Sequence, residues 1–183
     1  MVNKNIEKIL INEEQIVNRC IELGEQISKD YEGKLPILIA LLKGSVPFMS
    51  ELMKHISIDM EIDFMDVSSY VGTKSTGEVK INKDLDRSIK GCDVLIVEDI
   101  VDTGRTLKTV IELLYTKGAS SVKVVSLLDK KYRRVVDVKA DYVGFDIPDE
   151  FVIGYGLDYN QKYRNLPYVG VLKKECYEVN VNE

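Results

Sequence analysis

Short, continuous apolar runs recur along this chain, and each of them ends in a polar loop. The run LPILIALL (35–42) has the length and the uniform apolarity of a strand that is buried on both faces, and so has the run that begins at Val94. A helical repeat follows each run; the first is predicted to begin at a cap on Ser45, and the second to end at Gly118. Strands that alternate with helices across short loops form parallel sheets, so the pattern predicts an α/β fold with a parallel, twisted sheet flanked by helices.

Further segments on either side of these runs carry signals of their own. Asn12 and Gln15 have the spacing of a capping box, which predicts the start of an amphipathic N-terminal helix. The segments 58–70 and 78–82 are predicted to pair as strands, because the first alternates apolar and polar residues over part of its length. The loop between them, 71–77, offers no apolar anchor and is predicted to be mobile.

Length and composition predict a soluble, folded protein of one domain. With 183 residues, of which 45% are hydrophobic, the chain can bury a substantial core without disulfides. A net charge of -5 gives no reason to expect binding to nucleic acid or to a membrane surface. The N-terminus lacks the apolar core of a signal peptide, and the three cysteines form no CxxC pair, so we expect a reducing, cytoplasmic setting.

The stretch VLIVEDIVDTGRTL (94–107) is the strongest functional signal. It brings Glu98, Asp99 and Asp102 to the end of a predicted buried strand, where unpaired carboxylates are costly. Adjacent acids at a strand end are more often a solvated loop, but here the sequence DTGRT follows. The segment 103–106 lies where the loop becomes a helix, so backbone N–H groups, two hydroxyls and the positive end of the helix dipole converge there. A phosphate monoester fits this position.

The acids and the phosphate position together indicate a phosphorylated sugar. Glu98 and Asp99 could accept hydrogen bonds from a vicinal diol or hold a hard divalent cation. A ribose 5-phosphate would satisfy both ends of the loop and would leave Asp102 near the anomeric carbon. The chain has no Walker-type GxxxxGK motif and no GxGxxG motif, which argues against a nucleoside triphosphate or a dinucleotide. Lys43, at another strand-to-helix turn, is either a solvated lysine or a further anion contact.

The same stretch, VLIVEDIVDTGRTL, resembles the signature of the type I phosphoribosyltransferases, which bind 5-phosphoribosyl 1-pyrophosphate (PRPP). Four further segments are similar to segments of the hypoxanthine-guanine members of that family: LKGS (42–45), SSYVGTKSTGEVK (68–80), LLDKK (127–131) and VGFDIPDEFVIGYGLDYNQKYRNL (143–166). Together these segments cover most of the chain from residue 35 to residue 172. Residues 1–30 carry no such motif.

The resemblance implies a fold, an activity and a cofactor. It implies the type I phosphoribosyltransferase fold in a single domain (1–183), with a small hood formed by terminal segments: the N-terminal helix region and residues from about 150 to 183. It also implies a mobile lid over about 69–80. The implied activity is transfer of the 5-phosphoribosyl group from PRPP to N9 of hypoxanthine or guanine, with Mg²⁺, which gives IMP or GMP and pyrophosphate. A homodimer or homotetramer is implied as well.

Residue by residue, the resemblance carries over several sets of contacts. It implies PRPP and phosphate contacts for Lys43, Gly44, Ser69, Tyr70, Glu98, Asp99, Asp102, Thr103, Gly104, Arg105, Thr106 and Arg164. It implies purine contacts for Lys130, Phe151, Val152 and Asp158, and magnesium contacts for Glu98, Asp99 and Asp158. Two of these residues would be catalytic: Asp102 takes the proton from N7 of the purine, and Lys130 donates to its 6-oxo group.

Alternatives stay open for some residues and for the activity. By composition alone, Lys130 in KKYRR (130–134) would be surface charge, and Phe151 would belong to the core. Because a lysine only donates hydrogen bonds, Lys130 favours a 6-oxopurine over adenine, but a xanthine- or pyrimidine-directed relative stays open. A regulatory protein that senses nucleotides on the same fold is disfavoured by the acidic net charge and by Asp102. The lone histidine, His55, is expected at a helix end and not in catalysis.

Overall fold

The computed structural model describes residues 4–69 and 79–177. Within these ranges the helices are α1 (Glu13–Asp30), α2 (Val46–Leu52) and α3 (Arg105–Thr116). The strands are β1 (Ile6–Ile11), β2 (Ile37–Leu41), β3 (Glu61–Ser69), β4 (Val79–Lys83), β5 (Asp93–Val101), β6 (Ser121–Asp129), β7 (Tyr142–Asp146), β8 (Val152–Ile153) and β9 (Val169–Leu172). Single turns of 3-10 helix lie at Met53–His55, Lys131–Arg133 and Lys174–Cys176.

Six strands form the main sheet in the order β4-β3-β2-β5-β6-β7. Strand β2 runs parallel to both of its neighbours, so that Ala40 pairs with Phe64 on one side and with Val97 on the other. The pairs β5-β6 and β6-β7 are also parallel, and only the edge strand β4 is antiparallel to its neighbour β3. The predicted parallel sheet is therefore confirmed, and so is the pairing predicted for segments 58–70 and 78–82.

Alternate residues of β2 belong to two separate cores. Leu38 packs in the core with α1 and α2, which also contains Ile16 and Phe48. Ile39 packs in the core with α3, which also contains Val110. Because successive side chains of a strand point to opposite faces, helices cover both faces of the sheet. This explains why the sequence of β2 is apolar throughout and why all of its residues are buried.

The two predicted helix starts have different outcomes. The capping box of α1 is confirmed: the Gln15 N–H donates to Asn12 Oδ1, and the Asn12 N–H donates to Gln15 Oε1, each at 2.9 Å. Ser45 does occupy the cap position of α2, but its side chain makes no cap, so that part of the prediction is wrong. The backbone of Ser45 already has helical angles, and its hydroxyl donates instead to the Leu41 carbonyl at the end of β2, at 2.5 Å.

A second, smaller sheet joins the two ends of the described chain in the order β1-β9-β8. It supplies the small hood of terminal segments, and all of its strand pairs are antiparallel. The N-terminal contribution differs from the expectation: it is the strand β1, while helix α1 packs against α2 and β7 of the main body. Strand β1 was not predicted, because only its ends, Ile6 and Ile11, are buried and its pairing with β9 is irregular. Its sequence therefore lacks the alternation of apolar and polar residues that predicts a strand.

The segment expected to form a lid, 69–80, lies mostly outside the described residues, and so does the loop 71–77 that was predicted to be mobile. The strands that flank it pair up to their ends, where Ser69 pairs with Val79. In the described ranges, none of the helices has both the length and the apolarity that crossing a membrane requires.

Candidate active site

Three loops meet at the carboxyl edge of the main sheet. They follow β2, β5 and β6. The loop after β2 has Lys43 as its second residue, and the other two loops begin with Asp102 and Lys130. Neighbouring parallel strands end at the same edge, and ligands of open α/β sheets bind beyond that edge. Two backbone hydrogen bonds tie the last two loops together: the Lys130 N–H donates to the Val101 carbonyl at 3.0 Å, and the Val135 N–H donates to the Thr103 carbonyl at 3.1 Å.

A small cavity of about 120 Å³ lies at the bend between β5 and α3. It is lined by Glu98, Ile100, Val101, Asp102, Thr103, Gly104, Thr106 and Leu107. The bend depends on Gly104, whose φ of +81° is in the left-handed region and whose added Cβ would lie 2.4 Å from Val138 Cγ1. Since α3 begins directly after this glycine, the first-turn N–H groups and the positive end of the helix dipole point toward the bend, which suits an anion.

A larger cavity of about 460 Å³ adjoins the bend. It is lined by Ile100, Asp102, Lys130, Arg133, Asp149, Glu150, Phe151, Val152, Leu157 and Tyr177. Four of these were singled out in the sequence: Asp102, Lys130, Phe151 and Val152. Asp102 lines both cavities, so it stands at the junction between them.

The surroundings of Lys130 and Phe151 contradict what composition alone suggests. Lys130 is not a surface lysine: it is buried, and its Nζ donates to the Glu150 carbonyl at 2.7 Å. Its ammonium also lies 3.7 Å from Asp149 Oδ1. An ammonium group has three N–H donors, so Lys130 can keep this carbonyl contact and still donate to a ligand. Phe151 is not a core residue, because 39% of it is exposed at the cavity wall.

Two arginines of the basic cluster KKYRR (130–134) contact the Asp102 loop. Arg133 Nε donates to Asp102 Oδ1 at 2.8 Å, and Arg133 Nη1 lies 3.3 Å from both carboxylate oxygens of Asp149. Arg134 donates to the backbone carbonyl of Asp102 and to the buried carboxylate of Asp129. Residue type alone does not separate such contacts from a solvated basic run, because only the fold brings Asp102 and Asp149 to Arg133 from 31 and 16 positions away.

The acidic pair Glu98 and Asp99 is partly buried at the end of β5. Burial and the neighbouring charge of Asp99 raise the pKa of Glu98 well above its ordinary value. Burial also raises the pKa of Asp99 to about 6, although a hydrogen bond from the Ile100 N–H and the charge of Arg164 act in the opposite direction. Two crowded carboxylates gain from a cation between or beside them, so this donor pair fits a hard divalent metal ion.

The turn after β2 is wedged between the acidic pair and the loop after β8. A Cβ added to Gly44 would lie 1.6 Å from Asp99 Oδ2, and a Cβ added to Gly156 would lie 1.8 Å from the Gly44 carbonyl oxygen. Arg164 Nη1 donates to the Gly156 carbonyl at 2.7 Å, and Arg164 Nη2 pairs with Asp158 Oδ1 at 2.7 Å. Four residues from the sequence prediction are thus gathered: Gly44, Asp99, Asp158 and Arg164.

The remaining predicted residues have less defined surroundings. Lys43 is exposed at its turn, after a cis peptide bond between Leu42 and Lys43. Arg105 is exposed in the first turn of α3. Ser69 ends β3, but its side chain lies outside the described part of the structure, as does the whole of Tyr70.

Within residues 4–69 and 79–177, no group of three or more histidine, cysteine, aspartate or glutamate side chains is arranged to hold a metal ion alone. Magnesium needs less than such a cage, because it is commonly held by one or two carboxylates together with phosphates of the substrate. Glu98, Asp99 and Asp158 offer the hard oxygen donors for this mode. His55 lines neither cavity; its Nε2 lies 3.0 Å from Glu51 Oε1 at a helix end, as expected.

Comparison with known sequences identifies relatives over nearly the whole chain. The family model of the phosphoribosyl transferase domain matches residues 7–160. The hypoxanthine-guanine phosphoribosyltransferase of Lactococcus lactis is 59% identical over 177 residues, which are 96% of this chain and 96% of the relative. That of Streptococcus thermophilus is 58% identical over 178 residues, which are 97% of this chain and 99% of the relative.

Solved structures lead to the same group. A hypoxanthine phosphoribosyltransferase from Staphylococcus aureus superposes with a TM-score of 0.93 at 56% identity and covers 96% of each chain. The hypoxanthine phosphoribosyl transferase of Trypanosoma cruzi superposes with a TM-score of 0.92 at 41% identity, over 97% of this chain and 96% of its own. The chain therefore belongs to the phosphoribosyltransferase family, as a relative of its hypoxanthine-guanine members.

Proposed function

We propose that this chain is a magnesium-dependent 6-oxopurine phosphoribosyltransferase of purine salvage. It transfers the 5-phosphoribosyl group of PRPP to N9 of hypoxanthine or guanine and releases IMP or GMP together with pyrophosphate. The observation that carries the proposal is the pair of adjoining cavities with Asp102 at their junction. The smaller cavity is large enough for a phosphate and lies at the N-terminus of α3. The larger cavity has room for a purine base and is bordered by aromatic side chains.

The smaller cavity and the acids beside it suit the ribose 5-phosphate part of the substrate. Backbone N–H groups at the start of α3 and the hydroxyls of Thr103 and Thr106 bind the phosphate. Glu98 and Asp99 accept hydrogen bonds from the two ribose hydroxyls, which are donors that a carboxylate can pair with directly. Lys43, Gly44 and the guanidinium of Arg164 bind the pyrophosphate group. Support comes from Gly44 and Arg164, which both lie beside Asp99.

The larger cavity suits a 6-oxopurine. Lys130 donates to the 6-oxo group. With adenine, the buried ammonium would meet a 6-amino group that is also a hydrogen-bond donor, so the two groups could not pair. Phe151 stacks on the face of the ring, which is the common way in which a protein binds a flat base. The backbone of Val152 contacts the edge of the purine. These contacts favour hypoxanthine and guanine over adenine.

The chemistry follows from where charge develops. As the bond between C1 of ribose and pyrophosphate breaks, the sugar becomes positive and the departing group becomes negative. Lys43 and Arg164 stabilise that departing anion, and Asp102 accepts the proton from N7 as N9 attacks. Glu98, Asp99 and Asp158 would hold a magnesium ion together with oxygens of PRPP, and the ion would supply positive charge that offsets the charge of the pyrophosphate. Arg133 holds the Asp102 carboxylate at the cavity wall before the purine arrives.

Two further features belong to the same proposal. A cytoplasmic location is supported by the three cysteines, which are all free thiols. In secreted proteins, cysteines often form disulfides. A homodimer or homotetramer is proposed from the family resemblance. The nucleotide-sensing alternative gains no support from any particular contact in the described residues, whereas Asp102 and Lys130 both serve turnover.

The test is a spectrophotometric assay of the purified protein with PRPP, Mg²⁺ and a panel of bases. We expect turnover with hypoxanthine and guanine, none with adenine or uracil, and loss of turnover when the metal is chelated. The variant Lys130→Met keeps the length of the side chain but removes the donor, so kcat/KM for hypoxanthine should fall by about 10- to 100-fold.

Lys131→Met is the matched control, because this neighbouring lysine is exposed and pairs with Asp146. It should leave kcat/KM within about twofold of the parent protein. PRPP binding without turnover of any base would favour the nucleotide-sensing alternative. Preference for xanthine or a pyrimidine would instead show that the enzyme is a xanthine- or pyrimidine-directed relative.

A further inference from the structure

Three aromatic rings meet at one wall of the larger cavity. The ring centroids of Phe151 and Tyr177 are 4.7 Å apart with an angle of 21° between the planes, which is a stacked pair. Tyr159 meets Phe151 edge to face, at 5.7 Å and 87°. Tyr177 is close to the end of the described chain, and neither its sequence nor the family resemblance assigned it a role. Its ring nevertheless borders the cavity together with Phe151.

The packing of β8 shows on which side of Phe151 this second ring lies. Val152 belongs to the core that also packs against Ile100, whereas Ile153 belongs to the separate core of the small sheet, against which Tyr177 packs. Phe151 precedes Val152, and its carbonyl accepts the N–H of Leu172, so it continues the strand pairing with β9. Since side chains alternate along a strand, Phe151 points to the same side as Ile153. Tyr177 therefore covers Phe151 from the side of the small sheet, and Ile100, which packs against the other core, lines the same cavity.

Backbone hydrogen bonds attach the chain at Tyr177 to its surroundings. The Tyr177 N–H donates to the Lys174 carbonyl at 3.1 Å, which closes the last short turn of the described chain. Just before this turn, the Lys173 N–H donates to the Asn5 carbonyl at 3.0 Å and so ties the tail to the residue that precedes β1. The tail is thus attached to the small sheet close to the stacked pair.

We propose that Tyr177 is a positioning residue for the purine. It stacks on one face of Phe151 and fixes the plane of that ring. The base then binds between Phe151 and Ile100, and the Phe151 ring is already oriented to stack on it. The inference rests on the proposed function, because it takes the larger cavity as the purine site. A phenyl ring that is 39% exposed and packed on one face by a neighbour loses less rotational freedom when a ligand binds than a ring with both faces open.

The role predicts a selective kinetic effect. Tyr177 lines the purine cavity but not the phosphate cavity, so its loss should raise KM for the purine and leave KM for PRPP unchanged. It acts through Phe151, so its effect should disappear when Phe151 is absent. A residue that only stabilised the fold would change both KM values or neither.

The experiment is a double-mutant cycle of Tyr177→Ala and Phe151→Ala, with Tyr177→Phe as the conservative variant. We expect Tyr177→Ala to raise KM for hypoxanthine about three- to tenfold, as for the loss of one aromatic pair, with KM for PRPP within about twofold. Tyr177→Phe should match the parent protein. In the Phe151→Ala background, Tyr177→Ala should add less than about a 1.5-fold change. Tyr115→Ala, which removes a half-exposed tyrosine near the far end of α3, is the control and should leave both KM values unchanged.

Thermal unfolding followed by circular dichroism accompanies each variant. If Tyr177→Ala does not fold, Tyr177→Leu keeps the apolar volume without the ring and should show the same selective rise. An unchanged purine KM, an equal rise in the PRPP KM or an additive effect in the cycle would overturn the inference. A lower purine KM would also overturn it, since Tyr177 would then compete for the face that the purine uses. An inactive parent protein overturns the proposed function itself, whereas an active parent with unaffected Tyr177 variants overturns this inference alone.

Discussion

Adding a single methyl group to Gly44 is the sharpest perturbation that the site allows. In Gly44→Ala, the new Cβ would lie 1.6 Å from Asp99 Oδ2, which is about 1.8 Å short of an ordinary contact. The turn cannot easily retreat, because Gly156 lies against the Gly44 carbonyl: a Cβ added to Gly156 would lie 1.8 Å from that oxygen. The Asp99 carboxylate must therefore swing away, which moves the oxygens proposed to bind the ribose hydroxyls and the metal.

The expected cost in activity follows from that displacement. A misplacement of about 1 Å in a catalytic arrangement can lower the rate by about 10²-fold, which corresponds to about 2.7 kcal/mol of activation free energy. We expect kcat/KM of Gly44→Ala for PRPP to fall by at least that factor. Overpacking of this kind costs about 1 to 3 kcal/mol of folding stability, so the melting temperature should fall by about 2 to 12 °C.

A second glycine, Gly33, provides a control: its replacement should cost a similar amount of folding stability, but an added Cβ there would contact no residue of the site. Gly33 has a φ of +74° and no atom within 4 Å of an added Cβ, so Gly33→Ala strains the backbone without touching a neighbour. Its cost in folding stability is about 1 to 2 kcal/mol, similar to that of Gly44→Ala, but its kcat/KM should equal that of the parent protein. The assay is initial rate against PRPP concentration at saturating hypoxanthine and Mg²⁺, with the melting temperature measured on the same samples. Parental kcat/KM in Gly44→Ala would refute the reasoning, because the wedge between Gly44 and Asp99 would then have no bearing on the site.

Three further outcomes are expected. Asp102→Asn should lower kcat by about 10²- to 10⁴-fold and keep PRPP binding in a calorimetric titration, since the amide cannot accept the N7 proton; an equal loss of PRPP binding would contradict this role. Asn12→Ala should lower the free energy of unfolding by about 1 kcal/mol without changing turnover, as measured by urea denaturation, and no change in stability would contradict the observed capping box. Burial raises the pKa of the Cys20 thiol to about 12, so a thiol reagent at pH 8 should modify Cys92 and Cys176 first and Cys20 only after unfolding; rapid reaction of all three in the folded protein would contradict its burial.

Much of the main body follows from local sequence patterns. The run of apolar residues in β2, the capping box at Asn12 and the acidic stretch that ends β5 are each written in a few consecutive residues. Such signals survive without tertiary information, because a strand buried on both faces needs apolar side chains at every position. The bend at Gly104 belongs to the same class, since a left-handed backbone at a helix start favours glycine.

Other features could not be seen in the sequence because the three-dimensional fold decides which partner each residue meets. Strand β1 has no clear period, and it becomes a strand only when β9 supplies its hydrogen bonds from the other end of the chain. Ser45 has the residue type of a helix cap, but the nearby carbonyl of Leu41 takes its hydroxyl instead. Lys130 and Phe151 reverse their usual locations, because the backbone of Glu150 pairs with the lysine and the cavity exposes the ring.

The sequence by itself determined the parallel sheet, the order of most of its elements and the stretch in which acids precede a phosphate-binding bend. Each of these features depends on residues that are close together in the sequence. Only the tertiary structure decided that Arg133 pairs with Asp102 and that Tyr177 stacks on Phe151. These contacts join residues that are 26 or more positions apart, and such pairs meet only after burial of the two cores has set the strand order. No local pattern encodes that arrangement, because it depends on how the whole chain buries its apolar surface.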